Sequence, residues 1–431
     1  MAKRNRQRGP AAVAAMILVC VATLPASRPK LRTAAGTISA EKRSLNNGLT
    51  ILLDKDDSAP TTVLCLLIRG GKRAEPSLKQ GLAFLTTRLA IEIPDSDKVQ
   101  ELMKLATRFS VTCRGDYSSI GIECLSANLE ASLKIFSQIL RDPLFSGLRI
   151  DAVKKYMEHQ SRIEEDDSVT IGHLANLRAF FGNPGYQGSI YGDRASLGAI
   201  KNKDVSEYYQ RFFSASQMII SISSDLSSDI VVDLLGKYLG GISRGTPAAL
   251  ETAVRREISE KNSFLERDTQ QTFLSLAYPL PPVSPRRYAL AVLLENLLGK
   301  GPGSRLWPLR TEMRLAYNVS CRTTQMMEGG VVEAYLETEN AKLSFAREAL
   351  QKALTDLFAA GVDEIELQDA KAIARAGFWR ENEAKASKTA TRGSFEALGL
   401  GHDYARRLFT EMDAVTPEEM NSYIREVLAP E

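Results

Sequence analysis

Gly70-Gly71-Lys72-Arg73-Ala74-Glu75-Pro76, followed by Gly81-Leu82-Ala83-Phe84-Leu85-Thr86-Thr87-Arg88, is the stretch on which the fold turns. It is preceded by Thr61 to Arg69, a β-rich apolar run that stops at the two glycines. It continues into Gln80 to Ile91, whose apolar spacing is helical. The local order is therefore strand, glycine turn, helix. On that helix positions 84, 87 and 88 share one face, because residues three and four apart are neighbours.

The same logic extends outward. Leu45 to Leu53 reads as strand, Asn47-Gly48 turn, strand. Asp97 to Phe109 is an amphipathic helix, with Val99, Leu102, Met103, Leu105 and Ala106 on its apolar face. Val111 to Leu125 alternates like two strands around Gly115-Asp116, and Leu129 to Leu140 is a helix stopped by Asp142-Pro143. A long helical stretch starts at Leu148, Met218 to Ser223 is a strand, and Ser227 to Leu239 a helix closed by Gly240-Gly241.

A boundary falls near Arg244-Gly245-Thr246-Pro247, with a charged stretch to Lys261. The order then repeats: strand Thr272 to Ala277, helix Pro285 to Leu298, strands Tyr317 to Thr323 and Val331 to Thr338, helices Leu343 to Ala360 and Asp363 to Glu383. The fold class is α+β, with two similar domains, each a mainly antiparallel sheet covered by helices. The expected divisions are a leader at 1–38, a first domain at 39–245 and a second at 255–431.

These segments resemble the insulinase/pitrilysin family, which includes mitochondrial processing peptidase. Besides the Gly70–Arg88 frame, Ile139-Leu140-Arg141-Asp142-Pro143-Leu144-Phe145 is similar to the family's helix end before its long central helices. Tyr208-Tyr209-Gln210-Arg211-Phe212-Phe213, with Met218 to Asp225, resembles the segment closing its first domain. In the second half, Leu297-Leu298-Gly299-Lys300-Gly301-Pro302-Gly303-Ser304-Arg305-Leu306-Trp307 resembles its glycine-rich turn and helix start, and Arg310 to Leu315-Ala316-Tyr317 its Arg…Leu-Ala-Tyr. Arg314 stands where a Gly is usual, and the turn to Arg310 is one residue shorter. The resemblance implies a processing-peptidase/LuxS-like metallohydrolase fold.

It also implies a missing metal. Active members place H-x-x-E-H on the helix after Gly-Leu-Ala, two His binding Zn²⁺ and the Glu serving as base. Those positions here are Phe84, Thr87 and Arg88. Phe and Thr are no substitute for a ligand or a base, and Arg stays protonated. By count the third ligand would fall at Glu164 or Glu165, whereas alignment on Glu165-Asp166-Asp167 puts His159-Gln160 near that place; the stretch Glu164 to Asp167 is otherwise read as a solvated helix end. Arg310 and Tyr317 match the pair that assists catalysis from the second domain, donating to a substrate carbonyl and its oxyanion. The family includes two-chain enzymes. The implied role is the non-zinc subunit of such a metallopeptidase, inactive alone, acting on unfolded peptide with a homologous partner that carries H-x-x-E-H and the zinc. This chain itself would hold no cofactor. The alternative is a catalytically dead structural or peptide-binding homologue, and a second copy of the chain is the other partner considered. Gly299, Gly301, Gly303 and Ser304 form a loop expected to contact peptide. A phosphate loop is excluded there: no Lys-Ser/Thr ends it, and helix rather than strand precedes it.

Composition fits. The chain has 431 residues, 44% of them hydrophobic, enough for more than one core. A net charge of +3, without a basic stripe, argues against nucleic acid. Cys20, Cys65, Cys113, Cys124 and Cys321 show no metal spacing. Buried thiols are favoured over a Cys113–Cys124 bridge. His159, His173 and His402 are scattered and read as ordinary surface or half-buried side chains. The first forty residues carry seven Lys/Arg and no acid. Lys3, Arg4, Arg6 and Arg8, the apolar run Ala11 to Leu24 and Pro25-Ala26-Ser27 read as a signal peptide of about 26 residues, placing the mature protein in a periplasm. A mitochondrial presequence and an N-terminal membrane anchor are the alternatives. Val19 is too bulky for a lipoprotein site at Cys20.

Overall fold

The computed structural model describes residues 40–93, 95–182, 186–250, 252 and 262–429. The leader, with its export, cleavage and Cys20 readings, lies outside the described residues, as does most of the charged stretch to Lys261. In chain order the strands are β1 (Glu41–Ser44), β2 (Thr50–Lys55), β3 (Thr61–Arg69), β4 (Arg108–Cys113), β5 (Tyr117–Leu125), β6 (Met218–Ser224), β7 (Gln271–Leu280), β8 (Ala316–Met326) and β9 (Gly329–Glu339). The helices are α1 (Leu82–Leu89), α2 (Ser96–Lys104), α3 (Leu129–Arg141), α4 (Gly147–Asp166), α5 (Ser168–Phe180), α6 (Arg194–Ala199), α7 (Asn202–Phe212), α8 (Ser228–Leu239), α9 (Pro285–Gly299), α10 (Trp307–Thr311), α11 (Leu343–Ala360), α12 (Glu364–Glu381), α13 (Lys385–Ala397), α14 (Tyr404–Asp413) and α15 (Pro417–Val427).

The fold is α+β with two domains. The first sheet runs β1-β2-β6-β3-β5-β4 and the second β7-β9-β8. Only the β2–β6 pairing is parallel among the described strands. The duplication is visible in the order β3-β5-β4 against β7-β9-β8: a strand, then a hairpin whose second arm pairs with it. Each set is followed by a 3₁₀ turn, a long helix and two more helices: α3, α4, α5 in one case and α11, α12, α13 in the other.

Two departures from the sequence reading stand out. The helix expected to Phe109 stops at Lys104, because Ala106 takes a left-handed φ of 52° and the chain turns into β4. In β4, Arg108, Ser110 and Thr112 face solvent while Phe109 and Val111 face inward, the strand alternation. Residues after 383, unassigned from sequence, form α13 to α15.

The apolar run in β3 is continuous because both its faces are covered. Leu64, Leu66 and Ile68 pack into the main first-half core with Phe84, Leu85 and Phe136. Cys65 and Leu67 point the other way and meet Leu52, Ile219 and Ala397, the last from α13 of the second half. The exchange is reciprocal. α5 of the first half lies on β7 and β9, and Leu177 and Phe180 pack with Met326 and Val331. Glycine permits both close approaches: a Cβ on Gly172 would lie 2.1 Å from Phe273, and one on Gly393 2.4 Å from Leu67. Each domain therefore lends one helix to the other's sheet.

Polar contacts fix this arrangement. Arg392, fully buried on α13, pairs with Asp54 at 2.7 Å. Glu333, fully buried on β9, accepts from His173 and Asn176 of α5 and from Arg322 at 3.0 Å. Arg73 meets Glu328 at the β8–β9 turn, where Asp116 accepts from Tyr186 at 2.7 Å and from the Met327 amide at 3.0 Å. Cys65, Cys113, Cys124 and Cys321 are buried free thiols. No helix among the described residues is long and apolar enough to cross a membrane.

Candidate functional site

α1 begins at Gly81, whose φ of 94° suits glycine. Glu75 closes the helix start by accepting from the Gly81 amide at 3.1 Å and the Ala83 amide at 2.9 Å. Burial pushes this carboxyl above its ordinary range. Nearby, the buried Lys72 ammonium donates to the carbonyls of Tyr186 (2.8 Å) and Gly188, and burial lowers its pKa against the opposing pull of Glu75.

The three motif positions on α1 are all occupied by packing interactions. Phe84 is 4% exposed and meets Tyr191 edge to face, centroids 5.0 Å apart. Such burial contributes about 1.5–3 kcal/mol, and the ring pair about 0.5–1.5 more. Thr87 is buried, its hydroxyl donating to the Ala83 carbonyl at 2.7 Å. Arg88 pairs with Glu92 one turn on, at 2.8 Å. Of the acidic residues ending α4, Glu164 alone turns inward; Glu165, Asp166 and Asp167 are exposed. Glu164 accepts from Ser189, whose hydroxyl also receives the Tyr191 amide at 2.9 Å, and burial raises its pKa. The solvated reading of this helix end thus fails for Glu164 and holds for its three neighbours. Phe84, Tyr191, Ser189 and Glu164 form one filled chain of contacts. Among the described residues no group of three or more His, Cys, Asp or Glu is placed to hold a metal. The three His lie apart: His173 on Glu333, His402 4.0 Å from Glu396, His159 exposed on α4.

The second-half residues do come together. Arg310 is the fourth residue of α10, and Tyr317 the second of β8. The Met313 amide bonds the Pro308 carbonyl at 3.0 Å and the Leu315 amide the Leu309 carbonyl at 2.9 Å, so the chain doubles back sharply. Arg314, at the apex, takes a left-handed φ of 51°. The turn sets the Arg310 guanidinium carbon 5.2 Å from the Tyr317 ring centroid and 5.0 Å from that of Trp307. Tyr317 is 83% exposed and Arg310 is exposed too. Neither has an ion-pair or hydrogen-bond partner through its side chain among the described residues. By contrast Arg305 bonds Glu366 at 2.7 Å and Arg322 bonds Glu333. Sequence reasoning missed Trp307, although its position three before Arg310 on a helix was the available signal.

The glycine-rich turn divides into two kinds of position. Gly299 is needed for packing: a Cβ there would lie 1.9 Å from the Cys321 amide of β8. Gly301 and Gly303 have φ of 81° and 92° and open space around them. Ser304 is buried and donates to the Gly301 carbonyl at 2.8 Å, holding the turn.

Comparison with known proteins agrees with this fold. A model described as insulinase (peptidase family M16) matches residues 50–190, and one described as peptidase M16 inactive domain matches residues 199–374. An uncharacterized zinc protease YmxG of Bacillus subtilis is 22% identical over 399 residues, spanning 90% of this chain and 95% of that one. A non-peptidase homolog YmxG of Helicobacter pylori is 22% identical over 381 residues, 87% of this chain and 88% of that one. The crystal structure of a peptidase M16 inactive domain from Pseudomonas fluorescens superposes with a TM-score of 0.81 at 21% identity, covering 90% of this chain and 94% of that one.

Proposed function

The chain belongs to the insulinase (M16) peptidase family, and from that premise we propose that it is the non-zinc subunit of an exported two-chain metallopeptidase. The zinc and its base belong to a homologous partner carrying H-x-x-E-H. This chain contributes Arg310, Tyr317 and a peptide-contacting surface that includes the open Gly301–Gly303 turn. The observation that carries the reading is the pairing of an exposed Arg310, without a hydrogen-bond or ion-pair partner among the described residues, with an 83% exposed Tyr317, in a chain whose α1 face is filled by Phe84, Thr87 and Arg88.

Two further features favour action on a site in another chain. Tyr317 and the β8–β9 turn lie at opposite ends of β8, roughly 30 Å of strand apart. That turn is the part of the second domain docked beside Gly71–Ala74, against which α1 packs. The pair therefore sits at the end of β8 away from that docking point. In addition, the exchanged helices α5 and α13 and their buried ion pairs hold the two domains together. A peptide then fits best between this chain and its partner. There, a guanidinium and a phenol would donate to the scissile carbonyl and to the oxyanion formed as water attacks.

The test is co-expression with a partner that carries H-x-x-E-H. Peptide cleavage by the mixed complex, lost when Arg310 is replaced by Ala in an assembled complex, supports the reading. An assembled complex that cleaves equally well with Arg310→Ala favours the structural or peptide-binding homologue instead, in keeping with the Helicobacter relative, a non-peptidase homolog.

A further inference from the structure

We infer that Trp307 is a positioning residue for Arg310, holding the guanidinium by its π face so that its N–H groups stay free for a peptide carbonyl or carboxylate. The inference rests on the reading of the Arg310/Tyr317 pair given above. An exposed arginine has a long stem and several rotamers, and something must select one of them before it can act as a directed donor. Elsewhere in this chain a carboxylate does so, as Glu366 does for Arg305 and Glu419 for Arg286. A carboxylate, however, consumes the in-plane N–H groups it binds. An aromatic face attracts the cation through its quadrupole and leaves that plane unoccupied. Arg310 has two rings within 5.2 Å and no carboxylate partner among the described residues. It is fixed in the manner that keeps its donors available.

The local sequence builds this contact. Trp307 and Arg310 are three apart on α10 and share a face. Pro308 sets the backbone of the helix's first turn. Trp307 is half-buried beside the buried Leu306 and Leu309, so the indole has a fixed base while the guanidinium over it is exposed. The turn through Arg314 then brings the Tyr317 ring to the same guanidinium.

Two measurements test this. The chain has two tryptophans, so in a Trp379→Phe background the emission reports Trp307 alone. Arg310→Ala should change its intensity and wavelength. Unchanged emission overturns the contact, whatever the catalytic role of Arg310. In the complex with an H-x-x-E-H partner, purified through a tag on this chain, Trp307→Ala should lower kcat on the order of ten- to a hundredfold. KM should move less, Trp307→Phe should restore most of the rate, and Trp307→Ala should cost nothing further once Arg310 is Ala. Turnover indifferent to Trp307→Ala but reduced by Arg310→Ala overturns the positioning role alone. Turnover indifferent to Arg310→Ala overturns the reading of the pair, and the positioning role with it.

Discussion

Replacing Glu333 with Gln should separate the two domains energetically while leaving each folded. Glu333 is 0% exposed, and both its oxygens are engaged. One accepts from Asn176, the other from His173 and from Arg322 at 3.0 and 3.2 Å. Burial alone would raise this carboxyl's pKa. The His173 hydrogen bond, with the charges of His173 and Arg322 and the Asn176 hydrogen bond, holds it below the ordinary value instead. Glutamine keeps the volume and removes the charge. Its amide N–H groups then confront donors, and Arg322 loses its carboxylate. Removing one partner of a buried pair costs about 3–5 kcal/mol. Because His173 and Asn176 come from α5 and Glu333 from β9, their share of that loss falls on the contact between domains, while the Arg322 share falls within the second sheet. The assay is urea unfolding followed by tryptophan emission and circular dichroism. Glu333→Gln should lower the midpoint, and the two probes should cease to coincide. The pH dependence has a definite sign. A depressed folded pKa contributes stability above the unfolded value, about 4.3 for Glu, and loses it as pH falls through the folded value. The gap between wild type and Glu333→Gln should therefore shrink below about pH 4.3. A cost under about 1 kcal/mol at pH 7, or a gap that widens on acidification, would refute the assignment of this residue as a clasp.

Other substitutions test other parts of the account. Arg314→Gly should stabilise the chain by about 0.5–1 kcal/mol in urea unfolding, since a left-handed residue costs about 1–2 kcal/mol and glycine's extra unfolded-state freedom offsets part of that gain; a loss of stability would contradict the strain inferred from its φ of 51°. Phe84→Ala should cost about 3–5 kcal/mol, as expected of a packed core ring, and calorimetry showing no loss would show that this position is not held by packing. Arg392→Met should destabilise by about 3–5 kcal/mol, because Asp54 loses its charged partner and keeps only the Ser223 hydroxyl, whereas Asp54→Leu combined with Arg392→Met should recover most of it; additive losses in the double variant would count against the pairing.

How much was legible in the sequence depended on how local the signal was. The strand, glycine turn and helix of Gly70–Arg88 and the Gly299–Tyr317 frame are short-range patterns. Their elements appear as read, including Arg310 on a helix and Tyr317 at a strand start. The positions Phe84, Thr87 and Arg88 could be named for the same reason. What escaped was tertiary. α13 carries Lys-Ala-Ser-Lys-Thr-Ala-Thr-Arg-Gly-Ser-Phe-Glu-Ala, whose apolar signal is weak because Thr389, Arg392, Gly393 and Glu396 are buried alongside Phe395 and Ala397. That Glu164 turns inward while Glu165 stays exposed depends on Ser189, a contact across a loop. The clasp joins residues 173 and 333, far apart in the chain and unmarked by any motif. The α2 boundary was overrun because Ala106, a good helix former, here takes a left-handed conformation that ends the helix.

Whether this chain lends two donors to another subunit's reaction is decided by Tyr317→Phe. The change removes one hydroxyl and keeps the ring beside Arg310. With the mixed complex purified and its zinc content measured, assembly and metal should be unchanged. kcat should fall roughly 10²- to 10³-fold, corresponding to about 2.7–4 kcal/mol of transition-state stabilisation from one oxyanion donor. Wild-type kcat per assembled, zinc-loaded complex would contradict the claim that this chain takes part in catalysis.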